Sequence, residues 1–170
     1  ALGYVFFDEN NCELKGAGQD LIQLYSIDHS AVHPRLKEVK FEVACDVDNP
    51  LYGENGAAYI YSPQKGAAPK MVLELDAGLQ HFNEVVKKQF ELDLQQISGA
   101  GAAGGLGAGC ILFLNAALNP GIDLIKKEAN FDALIKGAGW IITGEGKLDE
   151  QTFSGKVIRG VLDSITDQKL

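Results

Sequence analysis

The chain has 170 residues, 46% of them hydrophobic and 22% charged, with a formal net charge of -8. That length fits a single domain able to bury roughly two-thirds of its unfolded surface, and the composition is that of a folded globule. The acidic balance argues against nucleic acid or an anionic membrane as partner, and no apolar run approaches the ~20 residues of a membrane-spanning helix.

Tyr4-Val5-Phe6-Phe7 reads as a strand, with Asp8 to Asn11 as the turn after it. Gly16 to Gly18 breaks the chain before a short helix from Gln19 to Tyr25, and His33-Pro34 starts a second short helical piece. Phe41 to Cys45 is the next strand, while Asn55 to Tyr61 is ambiguous: Ala57-Ala58 favour helix and Tyr59-Ile60-Tyr61 favour strand. Pro69 to Phe90 is predicted as the longest helix, with its proline in the first turn, where the missing N–H costs nothing. Its apolar positions Met71, Val72, Leu75, Leu79, Phe82, Val85 and Val86 recur at three- and four-residue steps and predict one buried face. Gly104 to Asn115 is apolar nearly all round and predicts an interior helix. Two shorter helices follow, Pro120 to Glu128 and Phe131 to Ile135. Trp140 to Thr143 is then expected as a strand and Lys156 to Ile165 as a terminal helix. Strands alternating with helices predict an α/β domain. Its sheet is expected to be mixed or parallel, with flanking helices, over residues 1–170.

The candidate chemistry lies where apolar runs give way to polar loops. Trp140-Ile141-Ile142 leads into Thr143-Gly144-Glu145-Gly146-Lys147-Leu148-Asp149-Glu150. In open α/β sheets such strand-end loops bind ligands. Gly144 and Gly146 let the backbone approach a ligand, Glu145 and Asp149 offer hard oxygens for a metal, and Lys147 offers a point charge. The plainer reading of that segment is a polar turn with a helix cap at Asp149. A second run, Val43-Ala44-Cys45-Asp46-Val47-Asp48-Asn49-Pro50, also ends in carboxylates. Asp46 follows the strand directly, which would hold it in place; the alternative is a turn leading to Asn49-Pro50. Asp48 is read as part of that turn.

Gly99, Gly101 and Gly104 spell the dinucleotide fingerprint G-x-G-x-x-G, but Gln95-Gln96-Ile97-Ser98 before it is a poor buried strand. A phosphate- or substrate-cradling loop from Gly99 through Gly101, Gly104 and Gly105 at a helix N-terminus is the stronger reading, tight helix packing the other. No Walker A string is present, since Gly155-Lys156 is followed by Val157. Phosphoryl transfer asks for a metal, a cationic clamp and a group that orients the attacking hydroxyl. Asp46, Asp149 and Glu145 are the candidate carboxylates, and Lys65, Lys147 and Lys156 the candidate clamps. The three histidines are unclustered and are read as incidental. Three cysteines at wide spacing, Cys12, Cys45 and Cys110, fit neither a disulfide framework nor a zinc site. No signal-peptide pattern opens the chain, so a reducing cytoplasm is the simplest compartment.

The strings CDVDNPLYGENGAA, PQKGA, GAGAAGGLGAG, NPGID and ITGEGKLDEQTFSGK occur in this order. Together they resemble the bacterial type I glycerate kinase family, from the start of the chain to about Lys156. The resemblance implies ATP-dependent phosphorylation of glycerate, leaning toward the 2-position, with Mg as the metal and small-molecule substrates as partners. It also implies that this is an internal piece of a longer, two-domain kinase. Missing from it are an N-terminal Rossmann-like portion, a glycine- and serine-rich segment and a C-terminal stretch. Asp46 is the first choice and Asp149 the second for the carboxylate that orients or deprotonates the glycerate hydroxyl. Asn49 joins Lys65, Lys147, Lys156 and the loop glycines on the substrate and phosphates. One departure is visible: the family continues after Gly-Lys with Ala-Pro, whereas Gly155-Lys156 is followed by Val157-Ile158. Two readings stay open beside the kinase: an inactive folded lobe that binds ligand weakly or forms a homo-oligomer, and a nicotinamide-dependent dehydrogenase domain.

Overall fold

A computed structural model describes residues 2–144 and 157–167. The chain divides into two compact units, Ala1–Phe41 with Val47–Ala117, and Glu42–Asp46 with Leu118–Leu170.

The first unit opens with an antiparallel pair, β1 (Val5–Phe7) and β2 (Ser26–Asp28), in which Phe6 faces Ile27 across the ladder. A three-residue strand carries too little alternation to be read from sequence, which is why β2 is a surprise. The expected helix between them is a 3-10 turn, Gly18–Gln23. The ambiguous segment resolves as a helix, α1 (Ala57–Tyr61), whose Ala57 and Ala58 are buried.

The long helix α2 (Pro69–Phe90) has the predicted bounds and ends at Glu91, which takes a left-handed conformation with φ 57°. Val72, Phe82 and Val86 are buried on its inner face, but Met71 is 50% exposed, so the apolar stripe is narrower than its periodicity suggested. Between them Gly78 lets the 3-10 turn come close: a Cβ there would lie 3.3 Å from the Cβ of Leu21. Buried Asn83 closes the far end of the helix. Its Oδ1 accepts the Leu94 N–H at 2.8 Å and its Nδ2 donates to Asp93 at 3.0 Å. Asp93 also receives Lys87 Nζ at 2.7 Å, and these bonds, that of Lys87 first, hold its carboxyl below the usual range.

Helix α3 (Ala102–Leu114) is not the uniformly buried helix its composition predicted. Gly107 and Ala108 are buried, whereas Leu106 is 64% exposed. Its opening is broken as well, since Ala103, Gly104 and Gly105 have φ of 54°, 86° and 97°; regular helix begins only after them. The core of this unit joins Leu24, Ile27, Leu51, Phe82, Val86 and Leu94, with Phe113 packed against it. Tyr4 and Phe6 meet the Phe113 ring at 4.8 and 5.7 Å between centroids, the tilted and edge-on arrangements aromatic pairs prefer.

The second unit contains β3 (Glu42–Ala44), which pairs with β4 (Ala117–Asn119), a strand begun at the last residue of the first unit. The Phe41 carbonyl accepts the Ala117 N–H and the Cys45 N–H donates to the Asn119 carbonyl, so both chains advance together and the pair is parallel. The architecture is mixed α/β with many helices, as an α/β reading expects, but its described strands form two small two-stranded sheets in place of one. Helices α4 (Gly121–Glu128), α5 (Phe131–Leu134) and α6 (Val157–Asp167) complete the unit. Gly160 of α6 lies against Ile122 of α4, and Lys126 donates to the Gly160 carbonyl at 3.0 Å. Buried Ser164 donates to Asp132 at 2.7 Å. Lys127 pairs with Glu42 at 2.8 Å, an interaction that raises the lysine pKa.

Trp140 to Thr143 does not form the expected strand. No described residue pairs with it, and Trp140 and Ile142 are 92% and 96% exposed. A β-type composition makes a strand only when another backbone satisfies its N–H and C=O groups. No helix among the described residues is long and apolar enough to cross a membrane.

Candidate functional site

In the first unit, two of the sequence motifs meet backbone to backbone. The Gly101 N–H donates to the Asn49 carbonyl at 2.9 Å. The approach is so close that a Cβ on Gly101 would lie 2.0 Å from the Pro50 carbonyl oxygen. Glycine is required there for space, since Gly101 itself has φ -78°. Just before this crossing in both segments, Ser98 Oγ donates to Asp48 Oδ1 at 2.7 Å. Asn49 is pinned on its other side: its Oδ1 accepts from Tyr61 Oη at 2.9 Å and its Nδ2 donates to the Asn55 carbonyl at 2.9 Å. Asn49, Gly99, Gly101, Gly104 and Gly105 are thus brought into one neighbourhood.

Lys65 joins them. The 3-10 turn Pro63–Lys65 follows α1 directly and ends at Gly66 with φ 91°. A Cβ on Gly104 would stand 3.4 Å from Lys65 Nζ and 3.9 Å from the Tyr61 Cβ, so the amine rests against the glycine turn. Lys65, Tyr61 and Gly104 line a cleft of about 380 Å³, whose apolar wall includes Ala58, Leu75 and Leu79. The cleft offers a cation and an apolar surface, and its Tyr61 also orients the neighbouring Asn49 amide.

The glycine loop itself differs from expectation in one respect. Several of its backbone N–H groups are already engaged within the protein. Gly101 donates to Asn49, Ala102 to Gly99, and Gly104 and Gly105 both to the Gly101 carbonyl. The left-handed residues fold the loop onto itself, and the turn bonds take up these four donors, leaving fewer for an anion. The dinucleotide fingerprint also lacks its context, because Leu94–Gln96 before it is a 3-10 turn and not a strand.

In the second unit Asp46 is exposed, and its Oδ1 accepts the Gly121 N–H at 2.8 Å. That amide is in the first turn of α4, where N–H groups have no partner within the helix. Its carboxylate also complements the positive end of the helix dipole. Asp46 therefore has a structural task that sequence reasoning did not foresee, distinct from the turn proposed for it. Gly144 is exposed with nothing within 4 Å of where a Cβ would stand. Glu145, Gly146, Lys147, Asp149 and Lys156 lie outside the described residues. Among the described residues no group of three or more His, Cys, Asp or Glu side chains is arranged to hold a metal ion.

Sequence reasoning passed over Tyr61 and Ser98 and assigned Asp48 to a turn. Tyr61 sat in a segment whose secondary structure was ambiguous. For Ser98 the available signal was its place immediately before Gly99, beside a carboxylate-ending run elsewhere in the chain.

The sequence model described as the glycerate kinase family matches residues 1–170. A glycerate kinase of Halalkalibacterium halodurans is 48% identical over 161 residues, which are 95% of this chain and 42% of that protein. The Escherichia coli K12 protein named glycerate 2-kinase is 46% identical over the same shares. A crystal structure assigned to glycerate kinase 2 of Salmonella typhimurium LT2 superposes with a TM-score of 0.83 at 38% identity, covering 99% of this chain and 44% of that one. The chain spans less than half the length of each. Because the family model matches residues 1–170 of this chain and the chain shares its fold with that solved structure, the chain belongs to the glycerate kinase family.

Proposed function

We propose that the protein phosphorylates glycerate with ATP, at the 2-hydroxyl, as a cytoplasmic enzyme. The observation that carries this reading is the Lys65 amine held against Gly104 in a cleft it shares with Tyr61, the residue that pins Asn49. A cation in a cleft whose tyrosine also orients an amide suits a small anionic substrate or the phosphates of a nucleotide. The 2-position rests on the 46% identical relative that carries that name.

In this reading Lys65 neutralises charge on the phosphates or on the substrate carboxylate. The Asn49 amide, its orientation set by Tyr61 and Asn55, holds a substrate oxygen. Asp46 accepts the proton of the attacking hydroxyl as its oxygen bonds to the γ-phosphorus and the bond to ADP breaks. Lys147, Lys156, Gly144 and Gly146 complete the anion-binding set, while Glu145 and Asp149 would hold Mg, Asp149 doubling as the second candidate base. Mg supplies charge neutralisation between phosphate oxygens when bound. Because the chain spans less than half the length of its relatives, the activity is proposed for the whole protein. The 170 residues on their own are expected to show only background turnover.

The test is a coupled ADP-release assay on the full-length protein with glycerate, ATP and Mg, with the product identified by phosphorus NMR. 2-Phosphoglycerate, with kcat/KM lowered by Lys65→Met, supports the reading. Turnover that ignores Lys65→Met, or 3-phosphoglycerate as product, overturns the corresponding part of it.

A further inference from the structure

We propose that Asp48 and Ser98 form a hydroxyl-reading subsite that recognises the hydroxyl of the hydroxy-acid substrate not attacked in the reaction. This inference rests on the glycerate reading above for its substrate, but its geometry stands apart from the phosphate-binding elements.

The argument starts from a count of hydrogens. A serine hydroxyl has one hydrogen and two acceptor lone pairs. The Ser98 hydrogen is committed to Asp48 Oδ1 at 2.7 Å, so toward any third group Ser98 Oγ acts as an acceptor. An ionised Asp48 has acceptors only. Both side chains are exposed, and Ser98 and Asp48 flank the seam at which Gly101 donates to Asn49. The adjacent loop amides of Gly101, Ala102, Gly104 and Gly105 are already donated to carbonyls. The side chains at this edge of the motif pair thus present acceptors and a negative charge, and four of the neighbouring loop amides are already engaged.

Such an edge repels phosphate and carboxylate and favours a neutral O–H donor. A hydroxyl of a small polyhydroxy acid supplies that donor. Anionic groups of the same substrate fall instead to Lys65, on the cleft side of the glycine turn. Ser98 is the residue that would touch the substrate. Asp48 is a positioning residue, since it acts by taking the serine hydrogen and so fixing the direction of the remaining lone pairs. For transfer to the 2-hydroxyl, the group read is the 3-hydroxyl.

The test measures binding and turnover separately in the full-length protein. Calorimetry compares glycerate with lactate, which lacks the 3-hydroxyl, in the wild type and in Ser98→Ala, Ser98→Thr, Asp48→Ala and Asp48→Asn. Ser98→Ala and Asp48→Ala are expected to weaken glycerate binding about tenfold and leave lactate binding unchanged, the scale of one lost hydrogen bond. Ser98→Thr keeps the hydroxyl and Asp48→Asn keeps an acceptor for it, so both should retain the preference for glycerate. Because the readout is a ratio within each variant, a partly unfolded sample does not mimic the effect. A ratio unmoved in Ser98→Ala, with only a lower melting temperature, would show that the bond merely ties two segments together and would overturn the proposal. A wild type that binds glycerate no better than lactate would overturn it too. Wild type that shows the Ser98-dependent preference but transfers no phosphoryl group would sink the kinase reading and leave the subsite standing. Turnover with no Ser98 dependence of binding does the reverse.

Discussion

Gly101 and Asn49 are joined by a backbone hydrogen bond of 2.9 Å at a crossing so tight that a side chain on Gly101 would enter the Pro50 carbonyl oxygen. Two segments some fifty residues apart are thereby held in one register. The obstruction is backbone, which cannot swing aside as a flexible side chain can. Gly101→Ala is therefore expected to destabilise the protein by about 3 kcal/mol, the upper range for overpacking. Denaturant unfolding measures it, and a variant within about 0.5 kcal/mol of wild type would show that the seam yields easily.

Asp46 separates two roles that one substitution can distinguish. Its Oδ1 accepts the Gly121 N–H, and Asp46→Asn keeps an oxygen able to do the same. That variant should melt close to wild type while kcat falls about 10²-fold, the scale of general-base catalysis. Asp46→Ala loses the bond as well and should cost about 1 kcal/mol, as removal of a helix cap does. An Asp46→Asn enzyme with wild-type kcat would confine Asp46 to its structural task.

Lys65 is exposed and sits on a short turn, so its removal should leave stability within about 0.5 kcal/mol of wild type. Lys65→Met is expected to lower kcat/KM about 10²-fold through lost charge stabilisation. Steady-state kinetics with ATP and glycerate varied in turn will show which anion the amine serves. An unchanged kcat/KM for both would remove Lys65 from the site.

Asn83 is 4% exposed, and its Oδ1 is the acceptor for the Leu94 N–H. Asn83→Ala strands that buried amide and opens a small void, at an expected cost of about 2–3 kcal/mol. Amide exchange at Leu94 should accelerate in the variant. If Leu94 stays as protected as in wild type, a rearranged partner has replaced Asn83.

The Lys87–Asp93 pair predicts a pH dependence of stability. The folded-state pKa of Asp93 is depressed, chiefly by the Lys87 hydrogen bond. Its contribution is therefore fully present above the unfolded value near pH 4 and disappears as the pH falls through the lower folded value. The difference in stability between wild type and Lys87→Met should be constant from about pH 5 to pH 8 and shrink below about pH 4. Both groups are solvent-facing, so the difference is expected to be modest and to weaken with salt. A difference that grew on acidification would contradict the sign.

Local physics made much of this chain legible. Pro69 at a helix start and three- and four-residue apolar steps up to Val86 make α2 legible without any tertiary contact. Ordered polar motifs were enough to identify the family. What the sequence could not carry depends on partners distant along the chain. Trp140-Ile141-Ile142 has strand composition but no described backbone to pair with, and β2 forms because Val5–Phe7 offers one to a segment with little β signal of its own. The glycine loop reads as a phosphate cradle because its glycines precede a helix; only folding decides that the amides of Gly101, Ala102, Gly104 and Gly105 close on Asn49, Gly99 and Gly101. Asp46 and Asp48, two residues apart and alike in sequence, were separated in the same way. One accepts a helix amide from Gly121 and the other the hydroxyl of Ser98, because hydrogen-bond partners are chosen in space and not along the chain.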